Sequence, residues 1–470
     1  MSGAPAERPP ARKRLTGKQR VIILLTLIPP LLVLVLCPLG LDRRQSGILA
    51  ALILVILWWV TGAVERTLAS GFLLAVFLLF SGAPWETVFT FPLSENFVMI
   101  VAAFLFSQGI SNSGLAEKLI QPILGRVAGT LPRLLLSMVV CAVAMIFIIP
   151  QPFSRIIILA GIYSSYLDSL PCVKAQEKLK PVLMAALFII SVFVNMLLLQ
   201  GDIVLNGALL SMGQVSISEG AWLRYMFVPT AVFLLLAILL FCLVFRKELK
   251  SYSGVRTAGE AEPVRSRLSV HEKRYVVLIL AVVIFWAAES LHGISGTVTA
   301  IVGVILMACV GLLRLRDWHA INIKLLVFLT AAFSIGGVLK ACGVADVLFS
   351  QFMPLFPDHF SVGYAAIVLL ASVLLHMVLG SNITTMSVVV PGLMMIGSGV
   401  APQEPLLLLI FVGVCGHFLL PFHHVTLLLG EGKGYYSTGH LIRYGVPLTA
   451  LVAFSALVLY MGWWNLLGMV

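Results

Sequence analysis

The sequence predicts an all-α polytopic membrane protein with about 11 transmembrane helices and two re-entrant helical hairpins in an inverted-topology repeat. The composition is the first reason. Of the 470 residues, 60% are hydrophobic and 11% are charged, whereas soluble proteins carry about 25% charged residues. The second reason is that apolar runs such as VIILLTLIPPLLVLVLC and AVFLLLAILLFCLVF recur along the chain. The third is that interrupted apolar segments repeat in the two halves. These observations place the chain in a lipid bilayer.

Basic residues set the expected orientation in the membrane. The net charge is +11, and basic residues are concentrated in an N-terminal arm (1–20) and in a polar linker (246–274). Because cytoplasmic loops carry the excess of Lys and Arg, we expect both segments in the cytoplasm; this placement argues against a nucleic-acid partner. The first apolar run has no small-residue cleavage site after it, so 21–45 is interpreted as a retained first span. The seven cysteines lack C-x-x-C spacing and are interpreted as packing residues.

The linker separates a first repeat (46–245) from a second repeat (275–470). About six crossings precede the linker and about five follow it, so the N-terminus is expected in the cytoplasm and the C-terminus outside the plasma membrane. Because each repeat contains an odd number of crossings, the second copy is expected to insert upside down. The predicted crossings are 21–39, 46–64, 68–82, 95–113, 181–213, 221–245, 275–292, 296–313, 322–341, 404–432 and 439–463.

Two further apolar segments, 131–168 and 362–399, are predicted to be re-entrant hairpins of half-length helices. In the second segment, HMVLGSNITTMSVVVPG interrupts two apolar runs that are each shorter than the roughly 20 residues needed to cross a bilayer. The segments correspond at a fixed offset, which also aligns SNSGLAEKL with KACGVADVL and PQPFSR with LGSNIT. Unwound backbone at membrane depth requires burial in protein or a water-filled cavity. The tip at Gly380 to Asn382 is therefore a candidate binding site; the alternative is a Ser/Thr-rich kink that packs helices closely.

Several segments together resemble one transporter family: LWWVTGAVERTLASGFLLAVFLLFSG, GLAEKL and GVADVL, the hairpin GSNITTMSVVVPG, and the closing LIRYGVP. They resemble the divalent anion–sodium symporter family, within the ion transporter superfamily. The resemblance implies a Ser-Asn-Thr motif at each hairpin tip, a sodium and carboxylate site between the tips, and a homodimer. Ser381 and Asn382 match that motif, but Ile383 replaces its Thr, and PQPFSR replaces the whole motif in the first repeat.

The candidate site comprises polar residues of the hairpin tips and of two helix breaks, LLLQGDIVLNG and LLPFHHVTLLLGEG. The expected substrate-binding residues are Gln151, Ser154, Arg155, Ser381, Asn382, Thr384, Thr385, His424 and Thr426. The expected cation ligands are Ser381, Asn382 and Thr385, and the coupling candidates are Asp202, Asn206, His423 and His424. Arg155 is predicted to take the place of the first cation and to bind a carboxylate through its guanidinium fork. The alternatives are that it pairs with Asp202 or extends to the cytoplasmic edge.

The expected function is secondary active transport of small organic anions, above all di- and tricarboxylates, coupled to Na⁺ or H⁺ by elevator-type alternating access. His423 and His424 are the available proton relays if sodium is not used. Alternatives are a Na⁺-independent anion exchanger or a permease for inorganic divalent anions such as sulfate. A channel or a membrane-embedded enzyme is more remote, since the motifs H-E-x-x-H and G-x-S-x-G are absent from the sequence. No catalytic residue, cofactor or bound metal is expected, apart from Na⁺ as a coupling ion.

The charge pattern generates a topology prediction. In a background without native cysteines, Gly468→Cys should react with an impermeant maleimide in intact cells, whereas Ser251→Cys should react only after permeabilisation, because basic segments face the cytoplasm. Labelling of both positions from the same side would contradict the inverted repeat.

Overall fold

The computed structural model describes residues 17–113, 128–149, 151–253, 269–287 and 293–470. Within these ranges the chain forms helices and no strand, as the sequence predicts. Some predicted features lie outside the described residues: most of the basic arm, the segment GLAEKL, the centre of the linker at 254–268, and the end of the crossing at 275–292.

Each stretch predicted as a crossing in the first half contains a helix. The chain begins with α1 (Gly17–Leu36), α2 (Arg43–Thr61), α3 (Arg66–Phe80) and α4 (Glu95–Ser113). The first hairpin consists of α5 (Leu131–Ile148) and α6 (Pro152–Asp168). An interrupted pair, α7 (Leu179–Val194) and α8 (Ile203–Gly213), is followed by the long helix α9 (Glu219–Val244).

The second half presents the same kinds of element in the same order. It begins with α10 (Val270–Ala287), α11 (Gly296–Cys309), α12 (Ile323–Ala341) and the short α13 (Val344–Phe352). The second hairpin consists of α14 (Val362–Leu379) and α15 (Asn382–Ile396). The interrupted pair α16 (Gln403–Cys415) and α17 (Val425–Gly432) precedes the long helix α18 (Thr438–Leu466).

The surface of these helices suits lipid rather than water. In the described part of the chain, five helices are long and apolar enough to cross a membrane: α2, α9, α12, α14 and α18. Large apolar side chains such as Leu79, Val277 and Leu370 are exposed on the outside of the bundle. A soluble monomer rarely exposes apolar surface on this scale. The chain is therefore a multi-pass membrane protein.

Both segments predicted as hairpins form two helices joined by a short turn, but their first arms are longer than half of a span. α5 and α14 each contain 18 residues, about 27 Å of helix, so the prediction of half-length helices is wrong for these arms. Hydroxyl groups inside these arms do not interrupt the helix. The hydroxyl of Ser137 donates to the carbonyl of Leu134, and that of Ser372 donates to the carbonyl of Val368, so each is satisfied within its own helix.

Two interruptions occur where the sequence places helix breaks. Between α7 and α8 the chain forms a short 3-10 turn at Leu199–Asp202, and between α16 and α17 it forms another at Pro421–His423. Each interruption leaves backbone groups without helical partners. The breaks and the hairpin tips are therefore where polar groups collect in an otherwise apolar bundle.

The helices pack around two hydrophobic cores. We call the larger one the hairpin body: its core is built mainly from both hairpins, both interrupted pairs, α9 and α18. We call the other one the frame, whose core is built mainly from α2, α3 and α12. α3 packs on α12 and α4 packs on α11. The second helix of each repeat therefore packs on the third helix of the other repeat. This reciprocal packing is expected for two repeats related by a two-fold axis.

The turn of the second hairpin predicts that Ala substitution at two glycines, Gly380 and Gly399, lowers stability by different amounts. Gly380 has φ +71°, and a Cβ at this position would lie 2.8 Å from Cδ2 of Phe422, a residue of the second break. Gly399 has φ +78° but no atom within 4 Å of such a Cβ. Both Ala substitutions should cost about 1–2 kcal/mol in backbone strain, and Gly380→Ala should lower the melting temperature in detergent further because Phe422 must move. Equal melting temperatures for Gly380→Ala and Gly399→Ala would contradict this account.

Candidate functional site

A cavity of about 350 Å³ lies at the boundary between the hairpin body and the frame. Both hairpin tips and both helix breaks reach it from one side, and the first turns of α3 and α12 reach it from the other. Its polar lining residues are Glu65, Arg66, Thr67, Asn195, Asp202, Asn206, Asn322, Lys324, Ser381, Asn382, His424 and Thr426. Its apolar lining includes Phe153, Met196, Phe328 and Phe411. The site therefore combines polar groups at broken backbone with apolar walls.

The second hairpin tip brings unpartnered oxygens to this region. Gly380 ends α14 in the left-handed conformation, and Ser381 is extended before α15 begins at Asn382. Among the described residues, Oδ1 of Asn382 and the hydroxyls of Thr384 and Thr385 are buried without a hydrogen-bond partner. Buried polar atoms are nearly always hydrogen-bonded. These oxygens therefore leave unused hydrogen-bonding capacity at the second tip.

His424 fixes the orientation of the Asn382 amide. The Nδ2 of Asn382 donates to Nδ1 of His424 over 3.0 Å, which leaves Oδ1 as the unpartnered atom. Behind this contact three more buried histidines form a cluster, with the ring of His376 centred 4.9 Å from that of His423 and 6.1 Å from that of His417. Nδ1 of His423 accepts from the backbone N–H of Leu419 over 2.9 Å. The cluster supports the second break and connects to the cavity through His424.

The first hairpin tip is bonded internally. Oε1 of Gln151 accepts from the backbone N–H and from the hydroxyl of Ser154, both over 2.8 Å, and caps α6. Arg155 is buried and does not line the cavity. Its guanidinium donates to the carbonyl of Ile149 over 3.1 Å, to Oδ1 of Asn195 over 2.7 Å, and to the carbonyl of Gly201. Arg155 thus joins the first hairpin tip to the first helix break; its contact with a bound anion stays a prediction.

Asp202 and Asn206 organise the first break. Oδ1 of Asp202 accepts from the backbone N–H of Leu205 over 3.0 Å and caps α8. The Nδ2 of Asn206 donates to the carbonyls of Asn195, Leu198 and Leu199 over 3.0–3.2 Å. The backbone freed by the break is therefore satisfied by a side chain, and Oδ1 of Asn206 remains without a partner in the described structure.

The structure brings together part of the predicted set. Asp202, Asn206, Ser381, Asn382, His424 and Thr426 line the cavity. Gln151, Ser154, Arg155, Thr384, Thr385 and His423 lie next to these residues in sequence or in space but do not line it. The predicted set therefore divides into residues that face the cavity and residues that support them.

The frame contributes charged residues that are not among the predicted site residues. Nζ of Lys324 lies 2.6 Å from Oε1 of Glu65, which joins the first turn of α12 to the residue before α3. The guanidinium of Arg66 lies over the ring of Phe328, 5.1 Å from its centroid. A signal was present in the sequence, since Glu65 and Arg66 are adjacent charges between two apolar spans. Their position at the cavity follows only from the packing of α3 on α12.

Comparisons with known proteins agree with this architecture. The family model described as sodium:sulfate symporter transmembrane region matches residues 18–470. The fold is similar to the crystal structure of the YdaH transporter of Alcanivorax borkumensis, described as having an unusual topology, with a TM-score of 0.55 and 15% sequence identity over 96% of this chain and 98% of that chain. At this identity the likeness shows the fold alone. A comparison with curated proteins gives no match.

The contacts of Arg155 predict a structural role that a lysine does not fill. Arg155→Lys keeps the charge, but one ammonium group does not reach acceptors that a guanidinium fork meets in several directions. We expect the free energy of unfolding to fall by about 1–3 kcal/mol for each acceptor left unpartnered, measured as thermal unfolding in detergent. Arg133→Lys, at an exposed position on α5, is the matched control. Equal stability of the two variants would contradict this role, and loss of ligand stabilisation alone would favour the anion clamp.

Proposed function

The chain belongs to the sodium:sulfate symporter family, and from that premise we propose that it carries small organic anions, above all di- and tricarboxylates, through the cavity at the hairpin tips. It is a secondary transporter, and in this proposal Na⁺ binding at the second hairpin tip drives the transport. The observation that carries the proposal is the position of the cavity, where both tips and both helix breaks meet the frame.

The two cores support an elevator-type mechanism. The cavity lies between separately packed bodies, so sliding the hairpin body past the frame would carry the tips and their ligand toward the other side of the membrane. Interfaces between packed bodies shift between discrete arrangements rather than deforming continuously. The frame is also the surface through which we propose that two copies form a homodimer in the plasma membrane, with the N-terminus in the cytoplasm.

The cavity favours an organic anion over an inorganic one. Its volume of about 350 Å³ lies within the range of about 300–1,000 Å³ that is typical of pockets for organic ligands. Phe153, Met196 and Phe411 offer apolar contacts to a carbon chain, while Asn382 and Thr426 offer hydrogen bonds. Sulfate is the second candidate, because the family description names it.

The unpartnered oxygens at the second tip favour a cation beside the anion. Hard cations bind to several oxygen ligands, and Oδ1 of Asn382 and the hydroxyl of Thr385 lack any partner among the described protein atoms. Ser381 precedes them at the same turn. In the proposed mechanism Na⁺ occupies this turn and offsets part of the charge of the substrate.

Thermal unfolding of the purified protein tests both parts of the proposal. Succinate, citrate, sulfate and phosphate are compared in Na⁺ and in choline buffers. We expect the two carboxylates to raise the melting temperature most, and only in Na⁺. In Thr385→Val the Na⁺-dependent part should disappear, because valine keeps the shape of threonine but has no oxygen ligand.

Thr330→Val is the matched control, because Thr330 is buried in α12 and its hydroxyl donates to the carbonyl of Leu326 over 2.8 Å. It should keep the Na⁺ response of the wild type. Stabilisation by carboxylates that is equal in both buffers would favour the Na⁺-independent exchanger. Stabilisation by sulfate alone would favour the inorganic permease.

A further inference from the structure

The charges that face the cavity are unevenly divided between the two bodies. Among the described lining residues the cationic side chains are Arg66 and Lys324, and both belong to the frame. The hairpin body contributes Asp202 and neutral groups to the lining, while Arg155 is bonded behind it to Ile149, Asn195 and Gly201. A polyanion in this cavity therefore finds its cationic partners on the frame.

Arg66 is exposed beside the cavity and has unused hydrogen-bond donors. Its guanidinium lies over the ring of Phe328, and that ring packs edge-on against Trp59 with centroids 4.9 Å apart. Both rings are buried, so they give the exposed guanidinium a fixed surface to lie on. The guanidinium makes no ion pair or hydrogen bond with another described residue. Its N–H donors therefore remain available for an oxyanion, in a fork that matches a carboxylate.

Lys324 has a partner that an anion can displace. Its ammonium pairs with Glu65 over 2.6 Å, but the side chains are 75% and 50% exposed. Such exposed pairs are weak, because water and salt screen them. Since Glu65 and Arg66 are consecutive residues, an anion that binds Arg66 arrives beside Lys324 and competes with Glu65 for it.

We infer that Arg66 and Lys324 form a second anion subsite on the frame, which binds the end of the substrate that points away from Asn382. The inference rests on the proposed function, which it deepens by defining the substrate class. A substrate that fills both subsites carries two anionic groups separated by a carbon chain. In the state described by the structure such a molecule links the hairpin body to the frame, and Glu65 weakens its binding by competing for Lys324.

Binding of succinate, butyrate and sulfate to the purified full-length protein tests this subsite. Succinate and butyrate share a four-carbon skeleton, but butyrate lacks the second carboxylate. Arg66→Gln should weaken succinate binding by about 10- to 100-fold, the loss expected for a charge-assisted hydrogen bond, and should leave butyrate nearly unchanged. Arg66→Lys should lose less affinity, because it keeps the charge without the fork. Arg133→Gln, at an exposed position outside the cavity, should behave as wild type.

Glu65→Gln should change succinate affinity in the opposite direction. Misfolding of the variant would not increase the affinity. The substitution removes the competitor of Lys324 and should tighten succinate binding several-fold, whereas Lys324→Gln should weaken it. The subsite would be contradicted if Arg66→Gln left succinate affinity unchanged, or if it weakened succinate and butyrate binding equally. Neither result would contradict the proposed function. If wild type binds sulfate and not succinate, the carboxylate part of the proposed function fails. The subsite then stands only if Arg66→Gln weakens sulfate binding relative to Arg133→Gln.

Discussion

Backbone groups released by a helix break inside a bilayer need partners in the protein or in a ligand, because lipid offers none. In the first repeat the protein supplies these partners. Arg155 donates to a carbonyl of the hairpin tip and to a carbonyl of the break, and Asn206 donates to three further carbonyls of the same break. These two side chains hold unwound backbone in a fixed shape. The position of the first hairpin, and with it one wall of the cavity, depends on them.

The second repeat meets the same constraint in a different way. Its tip has no side chain equivalent to Arg155 among the described contacts; Asn382 bonds to His424, and His376 packs against His423 behind it. Asn382 is bonded on one side only, and two hydroxyls beside it have no protein partner. A ligand in this region lowers the free energy of the tip by completing its bonds. We therefore propose that the first tip acts as a rigid wall and that the order of the second tip responds to an ion or substrate.

The sequence predicts the helices well because a bilayer imposes long apolar runs, which leave little ambiguity. It also predicts the two breaks and both hairpins, because glycine, proline and amide residues interrupt those runs. The pairing of Lys324 with Glu65 joins residues 259 positions apart, so only the packing of α3 on α12 reveals it.

The charges around the cavity bear on how anion and cation are carried together. Lys324 and Glu65 form one pair, and Arg155 and Asp202 attract one another behind the first tip. Arg66 then remains as one positive charge in excess among the described residues at this site. A cargo with one net negative charge would neutralise this excess. A dianion accompanied by one Na⁺ has that charge, whereas a dianion with two or more Na⁺ does not. On this charge balance we propose that one Na⁺ binds at the second tip and none at the first.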